Sequence, residues 1–446
     1  MSRKTAFPVA ALILGWLLVG AIPALAQQWA VHTFRFAYNC ATLDAVGRDV
    51  VFVYGLESGA RSAYVFRTTD GGETWDRFPW HTWGIYDLSA VDSNRVWAAC
   101  ADGRIYHSED GGRTWSVQYD GIADSTAAEF DYIEMFDAEN GVAAGDPFPG
   151  KSDPLPFLRT RDGGQTWTRV NDTSFVGADL NGLWAAVDFV DPLVGYYRES
   201  RTGVPLRNLH LHRTTDGGAT WSPTPLRSDQ FFLIRLYDEN LGLAVWKENA
   251  PVYRTTDGGQ TWASYPLNLG ENWFNDLEFV PGDPSQVLAG VSHVLISSAD
   301  TGRTWSRVLT LTPGEAIRDI DIVDSTLAWV ATEGGILKLT RSSAGPTGAL
   351  DAGRPPAPDR YALLSASPNP FSASTAIALV LHRSERVSLE VFDVLGRRVA
   401  TLAQSRRLPP GRHAFLFDGA DLPGGVYLIR LTTGAGSFVR RVVLLK

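Results

Sequence analysis

Six aspartates recur in one octapeptide, and carboxylates at a fixed position of a repeat are candidates for acid–base chemistry. The shared pattern is Ser/Thr-x-Asp-x-Gly-x-Thr-Trp, and its first copy spans residues 68–75. The aspartates are Asp70, Asp110, Asp162, Asp216, Asp257 and Asp300, separated by 40, 52, 54, 41 and 43 residues. Asp-Gly-Gly between two strands is also typical of a hairpin, in which the carboxylate and the hydroxyls bond within the turn.

The segments around each octapeptide have the alternation and length of short strands. One apolar strand precedes each copy, as at residues 105–107, and a short alternating stretch follows it, as at 167–170. Two more strands lie upstream, for example at 88–91 and 96–99. Four strands in about 40–50 residues is the period of a propeller blade.

A seventh unit lacks the octapeptide but keeps three strands, between residues 320 and 339. Residues 29–34 read as a spare strand before the first unit, and we expect it to close the ring by pairing with the last one. We therefore predict an all-β chain: a seven-bladed β-propeller over residues 27–341, followed by a small Ig-like β-sandwich. A six- or eight-bladed ring is the alternative.

The octapeptide resembles the Asp-box, or BNR repeat, of sialidases, xyloglucanases, sortilin-type receptors and the photosystem II assembly factor propeller. In those families the box lies on the blade rim, away from the binding face. The resemblance thus implies that the six aspartates are structural. The Phe/Tyr-Arg-Ile-Pro segment typical of sialidases is absent, and the chain has room for one propeller where xyloglucanases use two.

Aligning the first strand of each unit produces a column of polar residues that would border the central channel. Two of its carboxylates at a suitable separation would suit glycoside hydrolysis, with Glu134, Asp188, Glu278 and Asp321 as the catalytic candidates. The other interpretation, which we favour, is a wet channel wall in which Arg235 offsets some repulsion. The column is Asp44, Ser89, Glu134, Asp188, Arg235, Glu278 and Asp321.

The loops that enter these first strands are rich in aromatic residues. We expect them to gather at one mouth of the channel, where aromatic faces stack on sugars or anchor a protein partner. The alternative is core packing between blades. The predicted binding residues are Trp83, Tyr86, Tyr132, Trp184, Arg235, Trp273 and Phe274; Trp80, Phe130, Phe231 and Phe232 lie in the same loops.

The first 26 residues have the pattern of a secretory signal peptide. Arg3 and Lys4 precede an almost wholly apolar run at 9–22, and Ala24-Leu25-Ala26 is a cleavage sequence. The alternative is a membrane anchor, but the run is short for a bilayer, which needs about 20 residues. We expect no membrane span after cleavage. Outside the cytoplasm Cys40 and Cys100 are expected to form a disulfide between neighbouring blades.

The composition and the sequence pattern change after residue 341. Residues 342–360 are rich in Gly, Pro, Ala and Ser and are predicted to be a linker, and residues 361–446 alternate as strands with Gly/Pro turns.

Residues 367–446 carry four sequence motifs: Pro-Asn-Pro-Phe, Val-Phe-Asp-x-x-Gly-Arg, Leu-Pro-Gly-Gly-Val-Tyr and a terminal basic-apolar strand. This block resembles the type A C-terminal sorting domain of the type IX secretion system. The resemblance implies passage across a Gram-negative outer membrane and removal of the domain, leaving the product released or on the cell surface. An ordinary Ig-like adhesion module is the alternative.

Composition excludes several classes of function. The net charge is −9 and no Lys/Arg run exceeds two residues, which argues against nucleic-acid binding. No CxxC or HExxH spacing, Ser-His-Asp set or phosphate-binding loop is present, so we expect no metal and no cofactor. We predict a monomeric, secreted or cell-surface propeller that binds a glycan or an extracellular protein and is handled by the type IX machinery. Its alternatives are a glycoside hydrolase and an assembly factor similar to the photosystem II propeller.

Overall fold

Short antiparallel strands form almost all of this computed structural model. The structure describes residues 29–35, 38–57, 62–80, 84–148, 156–170, 187–198, 210–227, 233–245, 251–267, 269, 274–341, 361–367, 371–381, 385–393, 396–408, 411–433 and 436–446. The predicted signal peptide, 1–26, and the predicted linker, 342–360, lie outside these residues and remain predictions.

After β1 (Ala30–Arg35), consecutive strands pair in groups of four. The first group is β2 (Tyr38–Val46), β3 (Val50–Glu57), β4 (Ala63–Thr68) and β5 (Asp76–Trp80). The second is β6 (Ile85–Ala90), β7 (Val96–Cys100), β8 (Arg104–Ser108) and β9 (Ser116–Asp120). The third is β10 (Glu129–Met135), β11 (Gly141–Asp146), β12 (Phe157–Thr160) and β13 (Thr168–Arg169).

The next three groups repeat the same order. The fourth is β14 (Val187–Phe189), β15 (Gly195–Arg198), β16 (His210–Thr214) and β17 (Ser222–Arg227). The fifth is β18 (Leu233–Leu236), β19 (Gly242–Val245), β20 (Val252–Thr255) and β21 (Ala263–Tyr265). The sixth is β22 (Phe274–Val280), β23 (Asp283–Val291), β24 (Val294–Ser298) and β25 (Ser306–Thr310).

The last sheet of the propeller is completed by the first strand of the chain. It contains β26 (Ile317–Asp324), β27 (Leu327–Thr332) and β28 (Gly335–Thr340), and β1 pairs antiparallel with β28. The register runs from Ala30 opposite Thr340 to Arg35 opposite Gly335. The predicted all-β fold and the predicted closure by the spare strand are both confirmed. The described residues thus form seven four-stranded sheets before residue 341.

The core lies between the faces of successive sheets. The second strands β7 and β27 are buried along their whole length, and all their residues but Thr332 are apolar. The outer strands β5 and β9 are more exposed. One hydrophobic cluster, with Val51, Leu327 and Trp329, lies between the last sheet and the first, so the ring is closed.

Each octapeptide holds its own turn together through one carboxylate. The Ser/Thr hydroxyl donates to one Asp oxygen at 2.8–2.9 Å and accepts the N–H of the second glycine position at 2.7–2.9 Å. The same Asp accepts the Thr N–H at 2.8–2.9 Å and the Thr hydroxyl at 2.6–2.7 Å. These carboxylates are directed into their turns, which is the geometry of a structural residue.

The tryptophan that ends the octapeptide packs beside a neighbouring sheet. Trp75 lies 5.9 Å from Phe34 and 6.0 Å from Trp329, both in the sheet that contains β1. Trp115 lies edge-on to Trp80 of the preceding sheet at 5.2 Å. The hairpin and the contact between sheets are therefore coupled in one motif.

The C-terminal residues form two further sheets around one core. The first contains β29 (Tyr361–Ser367), β30 (Ser374–Leu381) and β33 (Gly411–Asp418). The second contains β31 (Glu385–Asp393), β32 (Arg398–Leu408), β34 (Gly425–Thr433) and β35 (Gly436–Leu444), in the order β32–β31–β34–β35. Phe371 is buried and fixes the last strand: its N–H donates to Val443 and its carbonyl accepts from Leu445.

The two cysteines correct one of our predictions. Cys40 and Cys100 are free thiols, and both are buried. Cys40 lies in the cluster between the last sheet and the first, whereas Cys100 lies in the cluster between the first sheet and the second. The first sheet separates them, so the predicted disulfide is wrong.

We expect thiol titration to find no reactive cysteine in the native protein and two after denaturation without reductant. Burial raises the pKa of Cys40 to about 12 and that of Cys100 well above its ordinary value, which keeps both as unreactive thiols. A denatured sample with no titratable thiol would show that the two residues pair after all.

We expect Asp110→Ala to lower the free energy of unfolding by about 1–2 kcal/mol, because it removes the acceptor of the turn. Urea unfolding measures this, and Glu109→Ala, which changes the exposed neighbour, is the control. Partial burial works to raise the pKa of Asp110, but hydrogen bonds from Thr114, Ser108 and Arg113 outweigh burial and lower this pKa to about 2. Its contribution is therefore present above about pH 4 and is lost as the pH falls towards 2. Equal loss in both variants would contradict the role.

Candidate functional site

A cavity of about 740 Å³ lies at the centre of the ring. Its wall is formed by the first strand of each sheet, which is where the sequence placed the polar column. All seven column residues line the cavity: Asp44, Ser89, Glu134, Asp188, Arg235, Glu278 and Asp321.

Several column residues bind the backbone of the next sheet. Asp188 accepts the N–H of Leu236 at 2.7 Å, and Asp321 accepts that of Ala45 at 2.7 Å. The hydroxyl of Ser89 accepts the N–H of Met135 at 2.9 Å. Asp44 accepts the N–H of Ala90 in the same way. These side chains therefore join first strands that belong to neighbouring sheets.

A second row of side chains makes the same kind of bond two residues earlier in the strands. Asp87 accepts the N–H of Ile133 at 2.9 Å, and Asp276 accepts that of Ile320 at 2.8 Å. Asp319 accepts the N–H of Leu43 at 2.8 Å. Sequence reasoning missed this row, although its spacing of two from the column places both rows on one face of each strand.

Arg235 is held between two carboxylates of the next sheet. It donates to Asp276 at 2.8 Å and to Glu278 at 2.8 Å. Burial works to lower its pKa, but Asp276, Glu278 and Asp188 outweigh burial and hold the pKa well above its ordinary value. By pairing with Asp276 and Glu278, Arg235 offsets part of the negative charge in the channel.

Burial raises the pKa values of the second-row carboxyls. The pKa of Asp87 rises to about 7 and that of Asp319 to about 6, against the lowering effect of their backbone hydrogen bonds. Burial also raises the pKa of Asp276, although Arg235 opposes it. These carboxyls of the cavity wall therefore ionise at higher pH than ordinary aspartates do.

The four catalytic candidates line one cavity, where they interact with other groups of the protein. Asp188 and Asp321 hold the next sheet, and Glu278 is paired with Arg235. Glu134 lies on the same wall and raises the pKa of Asp87. Within the described residues, no group of three potential metal ligands converges. The arrangement therefore favours structural carboxylates over a hydrolytic pair.

The predicted aromatic mouth is only partly described. Tyr86, Tyr132 and Phe274 line the cavity, and Phe274 is buried beside Trp305 at 6.4 Å. Burial and a hydrogen bond with Glu129 raise the pKa of Tyr86, and burial raises that of Tyr132. Trp80 and Phe130 belong to the core between sheets, as the packing alternative expected. Trp83, Trp184, Phe231, Phe232 and Trp273 lie outside the described residues.

Side chains of the C-terminal sheets also border the cavity. They come from the adjacent strands β30 and β33, in which Leu379 pairs with His413. Ala414 packs against the cluster that contains Phe136 and Phe189. The sequence showed no sign of this contact, because it depends on the placement of two distant segments.

We expect Asp87→Asn to stabilise the protein at pH 8 by on the order of 1–3 kcal/mol. The folded pKa lies above the unfolded value, so the stabilising contribution of this carboxyl is present below about pH 4 and is lost as the pH rises through about 7. Asparagine keeps an acceptor for Ile133 and carries no charge. Unfolding curves from pH 4 to 8 measure the difference, with the exposed Asp124→Asn as control. A difference that does not grow with pH would contradict this origin.

We report no helical segment in the described residues with the length and hydrophobicity needed to cross a bilayer.

A family model and one curated relative each match a limited segment of the chain. Residues 365–445 match the family model described as the secretion system C-terminal sorting domain. A 63-residue segment is 35% identical to the chloroplastic photosystem II stability/assembly factor HCF136 of Cyanidioschyzon merolae (strain NIES-3377 / 10D). That segment spans 14% of this chain and 14% of that relative.

Two solved structures share the propeller fold. A structure of YCF48 bound to D1 peptide superposes with a TM-score of 0.55 at 16% identity, over 72% of this chain and 97% of the other. YCF48 from Cyanidioschyzon merolae gives 0.51 at 17% identity, over 70% and 98%. The chain therefore contains an all-β propeller, and its residues 365–445 match the secretion system C-terminal sorting domain family, a match that indicates export to the cell surface or secretion.

Proposed function

We propose that the exported propeller binds a basic, extended segment of a partner polypeptide in its central cavity. The single observation that carries this proposal is the excess of acidic groups on the cavity wall, where nine carboxyls face two guanidinium groups among the described lining residues of the seven first strands. The carboxyls are Asp44, Asp87, Asp131, Glu134, Asp188, Asp276, Glu278, Asp319 and Asp321, and the guanidinium groups are those of Arg235 and Arg318.

The charge of the whole propeller agrees with this choice of ligand. Residues 27–341 contain 25 Lys and Arg against 42 Asp and Glu, a net charge of −17. A cavity lined by one sign of charge concentrates ligands of the opposite sign and speeds their association. Lysine and arginine side chains supply that charge on an extended chain.

The walls also suit an extended chain because they are not uniformly polar. Tyr86, Tyr132 and Leu88 lie among the carboxyls, so alternate side chains of a ligand meet charged and apolar surface. The structure of YCF48 with a D1 peptide shows that protein holding a peptide. This likeness motivates a peptide as the ligand here, and the chemistry of the cavity selects a basic one.

A glycan is the other ligand that the sequence suggested. Stacking on sugars needs exposed aromatic faces, and Phe274 is buried in the core. Hydrolysis is less favoured still, because Asp188, Asp321 and Glu278 are engaged in hydrogen bonds and an ion pair. Both remain outcomes of the following test.

We expect a Lys/Arg-rich peptide to bind more tightly than an Asp/Glu-rich peptide of equal length, and Glu134→Gln to weaken binding several-fold. The protein is assayed after a protease site placed within residues 342–360 has been cut and the C-terminal part has been separated from the propeller in about 1 M salt. Fluorescence anisotropy is read at about 0.01 M and 1 M salt, where screening lengths are about 30 and 3 Å. Glu109→Gln, an equal charge change outside the cavity, should bind normally.

Equal binding of acidic and basic peptides would contradict the proposal. So would retention on a panel of polysaccharides and sialylated glycans without peptide binding. Sugar release that Glu134→Gln abolishes would instead establish the hydrolase.

A further inference from the structure

We infer that the C-terminal domain, residues 361–446, docks on the central cavity of the propeller and covers it while the two remain in one chain. The inference deepens the proposed function by adding its regulation, and the consequence for ligand binding rests on that proposal. The docking itself rests on contacts and charges that are independent of any ligand.

The contact is made by the sheet that contains β30 and β33. Leu379, Leu381, His413 and Ala414 border the cavity together with the first strands of the propeller. Leu379 and Leu381 are buried because they also belong to the core of the C-terminal domain. Ala414 packs against the apolar cluster between the third and fourth sheets. At Ala414 the C-terminal domain therefore meets apolar residues of the propeller.

Electrostatic contact extends beyond these residues. The exposed Arg440 of β35 stands near enough to Tyr237 of the cavity wall to act on its pKa, lowering it against the larger raising effect of burial and of Asp238 and Asp283. Arg440 therefore adds positive charge on the side of the C-terminal domain that approaches Tyr237.

The two parts of the chain carry opposite net charge. The C-terminal domain contains 11 Lys and Arg against 5 Asp and Glu, which leaves +6, whereas residues 27–341 carry −17. Opposite net charges attract over a distance set by the ionic strength. The C-terminal domain has the sign of charge that we propose for the ligand, so it competes for the same wall.

The covalent connection makes this contact strong while it lasts. The 19 residues 342–360 join the parts, and a short covalent connection raises the effective concentration of one part at the other to roughly the millimolar range. Cutting the linker turns the contact into a bimolecular one that dilution breaks. Removal of the C-terminal domain would therefore open the cavity, and export and opening would be coupled in one cleavage.

The test uses the full chain with a protease site placed within residues 342–360. After cutting, we expect the two parts to elute together from a size-exclusion column at about 0.01 M salt and apart at about 1 M salt. Separate elution at low salt would overturn the inference.

Two variants on one strand make the test specific. Ala414→Glu places a charge and added volume in the contact, and we expect the cut parts to separate even at low salt. Leu416→Glu, on the same strand at a side chain that is 60% exposed, is the matched control and should leave them together. Arg440→Glu, at an exposed position, serves if Ala414→Glu lowers the stability of the C-terminal domain. Joint elution of both Ala414→Glu and Arg440→Glu parts would overturn the inference.

Ligand binding separates this inference from the proposed function. We expect the uncut chain to bind the Lys/Arg-rich peptide at least about tenfold more weakly than the propeller part separated from the C-terminal part, as expected of an intramolecular competitor. Equal binding by the uncut chain and the separated propeller part would overturn the covering role. Joint elution of the cut parts at low salt, without peptide binding by the separated propeller part, would support docking and overturn the proposed function.

Discussion

The ring depends on hydrogen bonds from side-chain oxygens of one sheet to backbone N–H groups of the next. First strands of successive sheets have no shared backbone ladder, since each sheet is closed within its own four strands. Asp188, Asp276 and Asp321 bridge this gap with bonds of 2.7–2.8 Å to the next sheet. Buried N–H groups need acceptors, and carboxylates reach across where a backbone carbonyl does not. The acidity of the cavity is thus a by-product of how the ring is held together.

The same feature links assembly with recognition. Carboxyls that satisfy backbone donors stay buried, so the pKa values of Asp87 and Asp319 rise to about 7 and 6. They also face a cavity of about 740 Å³, where they set its charge. A substitution that removes charge there acts on stability and on the ligand together.

The repeat made much of the fold predictable. Six copies of one octapeptide identified the hairpins, and the spare strand at residues 29–34 identified the closure, because both are local patterns with a single structural solution. The disulfide failed because face assignment is not local: the strand register shifts between Cys40 and Thr42. The bulge changes which side of the sheet a side chain occupies. The column was found, but its bonds to the next sheet were not, since spacing along the chain carries no information on a neighbour reached through space.

The pairing of β1 with β28 has a consequence for how the chain folds. Residues 30–35 meet residues 335–340, so the last contact of the ring joins segments that about three hundred positions separate along the chain. Such distant contacts form slowly, because the chain must lose the entropy of closing a large loop before these contacts can stabilise it. A chain that leaves the ribosome or a translocation channel amino end first presents β1 long before its partner exists. Until β28 arrives, β1 remains an unpaired edge, and the molecule is at its most vulnerable to aggregation and proteolysis. The order in which the chain emerges therefore determines how long the unpaired edge of β1 needs protection by a chaperone.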